Sequence, residues 1–129
     1  MTKDAAFRGE RVDKPWGFEL IWARTDRYVG KLLHIEAGHA LSLQYHRRKD
    51  ETLYLLSGSL DLEVGDDEQA LQTIALQPGE SVRMWPGRRH RLSARSACDV
   101  FEVSTPELDD VVRLADRYGR AGRGEPQEG

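Results

Sequence analysis

The 129-residue chain has a single cysteine, Cys98, so no internal disulfide can form, and it lacks the paired-cysteine spacing of a zinc finger. Any metal site has to be built from histidine, carboxylate and amide groups. No apolar run approaches the roughly 20 residues that span a bilayer. The opening MTKDAAFRGERVDK lacks the apolar stretch of a secretory signal. Basic residues are not in excess: 19 Lys and Arg against 22 Asp and Glu give a formal charge of −3, which excludes a general electrostatic hold on nucleic acid while allowing a local basic pocket. These deficits predict a soluble, cytoplasmic protein with neither nucleic-acid nor membrane partners. With 39% hydrophobic residues over 129 positions, there is material for one domain and one core, not two.

The ends are polar. Residues 1–13 carry scattered apolar side chains, and residues 121–129 (AGRGEPQEG) hold none larger than Ala, so a domain over 14–120 is expected between a flexible N-terminal segment and a disordered tail. Within it, apolar or alternating segments fall at roughly 18–22, 28–36, 40–46, 51–56, 60–64, 69–76, 81–85, 89–93 and 98–103. Turn signals at Gly38, Ser57-Gly58, Gly65-Asp66-Asp67, Pro78-Gly79 and Pro86-Gly87 separate them. The pattern predicts an all-β barrel or sandwich with antiparallel neighbours. One helix is predicted after Ser104. Thr105 would cap it, Pro106 would open it, Leu108, Val111, Val112, Ala115 and Tyr118 recur at helical spacing, and Gly119 would stop it.

In LSLQYH, alternation puts Ser42, Gln44 and His46 on one face and Leu41, Leu43 and Tyr45 on the other. The polar face is either a binding wall inside a barrel or a solvated surface. The stretch GHALSLQYHRRKDETLYLLSG sets Gln44, His46 and Glu51 between two glycines, and GESVRMWPGRRH delivers His90 on a later strand. Two imidazoles, a carboxylate and an amide oxygen suit Zn²⁺, Fe²⁺, Mn²⁺, Co²⁺ or Ni²⁺ better than Ca²⁺ or Mg²⁺. Alternatively, each polar group satisfies its neighbours on a partly solvated strand. His34 and His39 fit no such pattern and read as surface or turn residues. Trp16 and Trp22 flank the first predicted strand and read as core or subunit-contact residues.

The two stretches resemble the paired motifs of the cupin superfamily, the first built on a glycine-bounded His-x-His and Glu, the second ending in Pro-x-Gly-x-x-His. Gln44 stands where most cupins have the first His, and Trp85 stands at the Pro position of the second motif, with Pro86 shifted by one. Gln-x-His is the pattern of mannose-6-phosphate isomerase-like cupins. KPWGFEL, LSLQYH, LSG, PGESV, GRRHRL, FEVSTPE and DDVVRLADRYGR look like segments of the isomerase domain of bifunctional mannose-1-phosphate guanylyltransferase/mannose-6-phosphate isomerase proteins. Where that domain usually reads like QxHHHRxEHW, this chain has QYHRRKDETL.

The resemblance implies a double-stranded β-helix, the cupin jelly-roll, with the short C-terminal helix beside it. It implies one divalent transition metal on Gln44, His46, Glu51 and His90, with Zn²⁺ taken first. A sugar or sugar-phosphate isomerase needs a base beside the reacting carbons, and Lys31, aligned with a Lys of the isomerase-like domains, and Glu102, between apolar Phe101 and Val103, are the candidates. A phosphate asks for guanidinium donors. Arg83 and Arg120 are the substrate-binding candidates, although Arg120 can instead pair with Asp116 or Asp110. Arg88, Arg89 and Arg91 alternate faces, so only some can enter a cavity. Small cupins usually dimerise, and a homodimer with a small-molecule substrate is expected. Two further readings are a non-catalytic cupin binding a carbohydrate or small metabolite, and a metal-dependent dioxygenase, a class that usually keeps the first His.

Overall fold

The structure, a computed structural model, describes residues 5–107 and 109–123. The strands are β1 (Glu10–Lys14), β2 (Gly17–Arg24), β3 (Val29–Ile35), β4 (Leu43–Tyr45), β5 (Glu51–Ser57), β6 (Leu60–Gly65), β7 (Gln72–Leu76), β8 (Ser81–Met84), β9 (Arg89–Ala94), β10 (Cys98–Ser104), β11 (Val112–Ala115) and β12 (Gly122–Arg123). They form two six-stranded sheets, ordered β1-β2-β3-β10-β5-β8 and β12-β11-β4-β9-β6-β7. All pairings are antiparallel. After β3 the chain crosses repeatedly between the sheets, so that β10 pairs with both β3 and β5, and β9 with both β4 and β6. This is the expected doubly wound β architecture. Among the described residues there is no helix, and none long and apolar enough to cross a membrane.

Period-two alternation builds the interior. Along β10 the inward residues are Cys98 and Val100, then Glu102 and Ser104; along β3 they are Ile35 and Leu33, then Lys31. β9 changes from Ala94 and Leu92 to His90, and β5 from Leu55 and Leu53 to Glu51. The switch from apolar to polar therefore comes toward the same end of neighbouring strands. One end of the barrel is a hydrophobic core holding Trp16, Leu60, Leu62 and Met84, and the other is a buried polar band. Trp16 is a core residue, whereas Trp22 stays half-exposed on the outer face, its ring against Gly30.

Two turns fix the geometry. Gly58, at φ 98°, leaves β5 where a Cβ would sit 2.3 Å from the Ala97 oxygen, so only glycine fits. In the Trp85–Arg88 turn the Arg88 N–H donates to the Trp85 carbonyl at 3.0 Å with Gly87 at φ 90°, the arrangement of a type II turn with Pro86 before it. The displaced Pro86 thus still makes the turn that leads into His90.

The predicted C-terminal helix does not form. Its Leu108 lies outside the described residues, but Val112–Ala115 is the strand β11, pairing Val112 with Tyr45 and Arg113 with Gln44. Two β-branched valines in succession favour strand, and the short β4 has an open edge whose backbone groups need partners. Thr105 caps nothing; its hydroxyl accepts the Asp50 N–H at 3.0 Å. At the other end β1 begins at Glu10, within the N-terminal segment 1–13, and pairs with β2.

Asp110 locks the β4–β5 loop. Its carboxylate accepts the backbone N–H groups of Arg47 (3.0 Å), Arg48 (2.6 Å) and Lys49 (2.8 Å). Burial raises the Asp110 pKa, but these donors and the nearby His46 outweigh it and hold the group below its ordinary value. At Asp116 burial is likewise outweighed, chiefly by the Arg120 guanidinium. A carboxylate depressed on folding stabilises the fold above its unfolded pKa, and the contribution is lost as pH falls through the depressed value. Asp110→Asn is therefore expected to cost about 2–3 kcal/mol at pH 7. In urea denaturation, the gap to wild type should narrow as the pH drops below the carboxylate range.

Candidate functional site

The polar band brings three of the predicted ligands together. His46 follows β4, Glu51 opens β5 and His90 lies in β9; all are buried, and their ligand atoms lie within 4.8 Å of one another. His46 Nε2 is 2.8 Å and His90 Nε2 3.3 Å from Glu51 Oε1. The Gly87 N–H donates to the His46 carbonyl at 2.7 Å, tying the β8–β9 turn to the end of β4.

The outer nitrogens decide what the inner ones can do. His46 Nδ1 is 2.6 Å from the Asp110 carbonyl and His90 Nδ1 2.9 Å from the Arg88 carbonyl. A carbonyl only accepts, so each neutral ring carries its proton on Nδ1 and presents a bare lone pair at Nε2. Two such lone pairs then face the same carboxylate oxygen, and His90 Nε2 is buried without a hydrogen bond. A proton on either Nε2, or a metal ion between the three atoms, relieves this convergence. Two imidazoles and a carboxylate, each imidazole oriented by an outer hydrogen bond, fit a divalent transition metal. Gln44 pairs in register with His90 and is equally buried. Its Oε1 accepts the Ser42 hydroxyl at 2.7 Å. Gln44, Glu51, His90 and Glu102 share a cavity of about 10 Å³ closed by Leu33, Leu41, Leu53 and Leu92.

Lys31 and Glu102 are cross-strand neighbours, both buried and facing inward. Each has a partner of opposite charge: Lys31 Nζ lies 3.2 Å from Glu19, and Lys49 Nζ lies 3.2 Å from Glu102 and 3.9 Å from Glu51. Lys49, Glu19 and Arg113 belong to this buried band and escaped the sequence reading. Parity was the available signal, since Lys49 is two residues from Glu51, Glu19 two from Ile21 and Arg113 two from Val111. Reading 105–119 as helix hid the last of these.

Arg83 is not brought to the cluster. Its exposed guanidinium forks onto Asp50 at 3.0 and 2.6 Å, holding the Asp50 carboxyl low, and lines with Asp50, Thr52 and the candidate ligand Glu51 an open cavity of about 310 Å³. Arg120 makes the anticipated pair with Asp116, at 3.0 and 3.1 Å. His34 bridges Asp99 and Glu36 at the surface, and His39 bonds Tyr118 at 2.7 Å.

Comparison with known proteins gives a consistent picture. A family model described as a cupin domain matches residues 31–104. Mannose-1-phosphate guanylyltransferase of Escherichia coli (strain K12) is 35% identical over 115 residues, 84% of this chain and 23% of that protein. The chain thus spans under a quarter of that relative. The tetracenomycin polyketide synthase protein TcmJ of Streptomyces glaucescens is 35% identical over 91 residues, 64% of this chain and 58% of its own. Among solved structures, KdgF from Halomonas sp. matches with a TM-score of 0.66 at 20% identity, over 78% of this chain and 90% of that one, a likeness of fold.

Removing one member of a buried ion pair leaves its partner uncompensated, whereas removing both can be nearly neutral. Lys49→Met is therefore expected to destabilise the protein by about 3–5 kcal/mol. Denaturant unfolding should show a smaller loss for the Lys49→Met/Glu102→Leu double variant than the sum of the losses of Lys49→Met and Glu102→Leu; an additive loss would mean the pair is not coupled.

Proposed function

The chain belongs to the cupin domain family, and from that premise we propose that it is a metal-dependent isomerase of a sugar or sugar phosphate, interconverting aldose and ketose. The observation that carries the reading is the convergence of His46 and His90 Nε2 on Glu51 in a buried site. Gln44, in register with His90, is the fourth candidate ligand. The likeness to mannose-1-phosphate guanylyltransferases supports a sugar-phosphate substrate.

A divalent metal bound there supplies an electrophile for the substrate's carbonyl and hydroxyl oxygens. The chain's own residues would then move the proton. Glu102, buried beside Glu51 and His90, would accept the proton from the carbon bearing the hydroxyl and return it to the former carbonyl carbon while the hydroxyl proton passes to the former carbonyl oxygen. The cavity these residues share has room for about one water, so a sugar would have to enter through the open cavity of about 310 Å³ that Glu51 also lines. Lys31, across the strand pair from Glu102, is the alternative base. Leu33, Leu41, Leu53 and Leu92 restrict water around the exchanging proton.

Elemental analysis of the purified protein beside a His46→Ala/Glu51→Ala variant tests the centre. The wild type is expected to carry near-stoichiometric Zn, Fe, Mn, Co or Ni, and the variant none. Metal-loaded wild type should form ketose from mannose 6-phosphate or a related aldose, and Glu102→Gln should slow it by about 10²-fold or more. Absence of ketose from every aldose tried would overturn the isomerase reading, and sugar binding that survives metal removal would replace it with a binding protein. The reading includes a homodimer packed through the outer face of the first sheet, where Trp22, Tyr54, Leu56, Phe101 and Val103 are exposed. Light scattering should give twice the chain mass of 14.7 kDa, and Phe101→Lys should halve it.

A further inference from the structure

The turn before His90 carries a side chain that the candidate centre does not use. Pro86 makes that turn, which frees position 85 for a residue with another role, and a tryptophan stands there, 43% exposed. The turn around it is pinned. The Arg88 N–H donates to the Trp85 carbonyl, the Gly87 N–H to the His46 carbonyl, and the Arg88 carbonyl meets His90 Nδ1. The Arg88 side chain is fixed as well: its guanidinium lies 4.1 Å from the centre of the Trp85 ring and donates to the Arg83 carbonyl at 2.8 Å. Trp85 and Arg88 form one wall of a cavity of about 400 Å³, and Asp66, Asp67 and Gln72, from the β6–β7 loop and the start of β7, form the other. Such a volume lies within the range of about 300–1,000 Å³ common to small-molecule sites. The loop is closed on itself: Asp67 Oδ1 accepts the Gln69 N–H at 2.8 Å, and a Cβ on Gly65 would sit 2.6 Å from the Ala70 oxygen. The side chains of Asp66 and Gln72 make no hydrogen bond or ion pair among the described residues. Val64, on the buried side of the cavity, pairs in register with His90, one strand away.

We propose that this cavity binds a neutral sugar unit, at a site separate from the candidate metal centre. A sugar ring presents both C–H groups and hydroxyls, and the walls match both. The indole offers an apolar surface edged by its Nε1 donor. Asp66 accepts from hydroxyls, Arg88 has N–H groups beyond the one on the Arg83 carbonyl to donate to them, and Gln72 does either. Charge selects against an acidic ligand, because two carboxylates stand against one guanidinium and a phosphate would meet repulsion. A cationic ligand would have to compete with Arg88 for the same ring. What fits is an uncharged polyol. Turn and loop are already held by their own hydrogen bonds, so little freedom is lost when the ligand enters. The site stands whether or not the barrel isomerises a sugar.

Titration of the full chain with the methyl glycosides of glucose, mannose and galactose, read on the indole N–H signals by NMR, tests the site. These locked rings cannot open to an aldose, so isomerisation does not enter the readout. The chain has three tryptophans, and the signal missing from Trp85→Phe identifies residue 85. Saturable movement of that signal by at least one glycoside is expected. Trp85→Ala and Asp66→Ala should each weaken binding of that glycoside, followed by calorimetry, about tenfold or more. Arg24→Gln, at the end of β2 in the other sheet, should leave it unchanged. A Trp85 signal that none of the three glycosides moves, or glycoside binding unchanged in Trp85→Ala and Asp66→Ala, overturns the site. Movement of the same signal at lower concentration by glucose 6-phosphate than by any of the glycosides overturns the preference for a neutral ligand. A moving Trp85 signal without ketose formation would sink the isomerase reading alone; ketose formation with a still signal would sink this site alone.

Discussion

Glu51 shares one carboxylate oxygen with two imidazole nitrogens inside a barrel, and the surrounding structure depends on that contact. Three electron-rich atoms at this range repel unless a positive centre lies among them, and burial removes the water that would otherwise screen them. The neighbours hold the atoms in place regardless. The Asp110 and Arg88 carbonyls fix the rings, Asp110 pins the backbone after His46, and Lys49 sets a cation beside Glu51. These groups hold the two rings and the carboxylate in place around one point, as the outer partners of metal-binding histidines do.

Such a concentration of buried charge is tolerable because the barrel is divided. Leucines and valines on the same strands that carry Lys31, Glu51, His90 and Glu102 make the apolar end, so hydrophobic burial and polar function come from one set of elements. Charges in the polar end are matched locally: Lys31 with Glu19, Lys49 with Glu102. Matching reduces the desolvation penalty without making the pairs a source of stability. Their value lies in the fixed positions of their charges around the cavity.

The C-terminal segment shows how one local choice alters the chemistry available. As an external helix, residues 105–119 would have contributed apolar contacts only. As β11 they extend the second sheet, and Arg113 enters the same row as Gln44 and His90. The preceding turn brings Asp110 under the β4–β5 loop, and the following one sets Arg120 on Asp116.

Much of this was legible in one dimension. Alternation and turn residues determined the all-β class and most strand positions, because side chains on a strand face opposite ways and glycine alone tolerates the tight turn at Gly58. Spacing brought out Gln44, His46, Glu51 and His90, because the strands that bear them are short and the turns between them compact. What only the tertiary structure decided was everything set by partners far away in sequence. Lys49 and Arg113 look like solvated charges until strands from elsewhere enclose them, and the fork of Arg83 onto Asp50 joins residues 33 positions apart. Residues 111–115 satisfy helical spacing and strand alternation alike. The open edge of β4 resolves that ambiguity, because its unpaired backbone groups need a neighbour that the local sequence cannot supply.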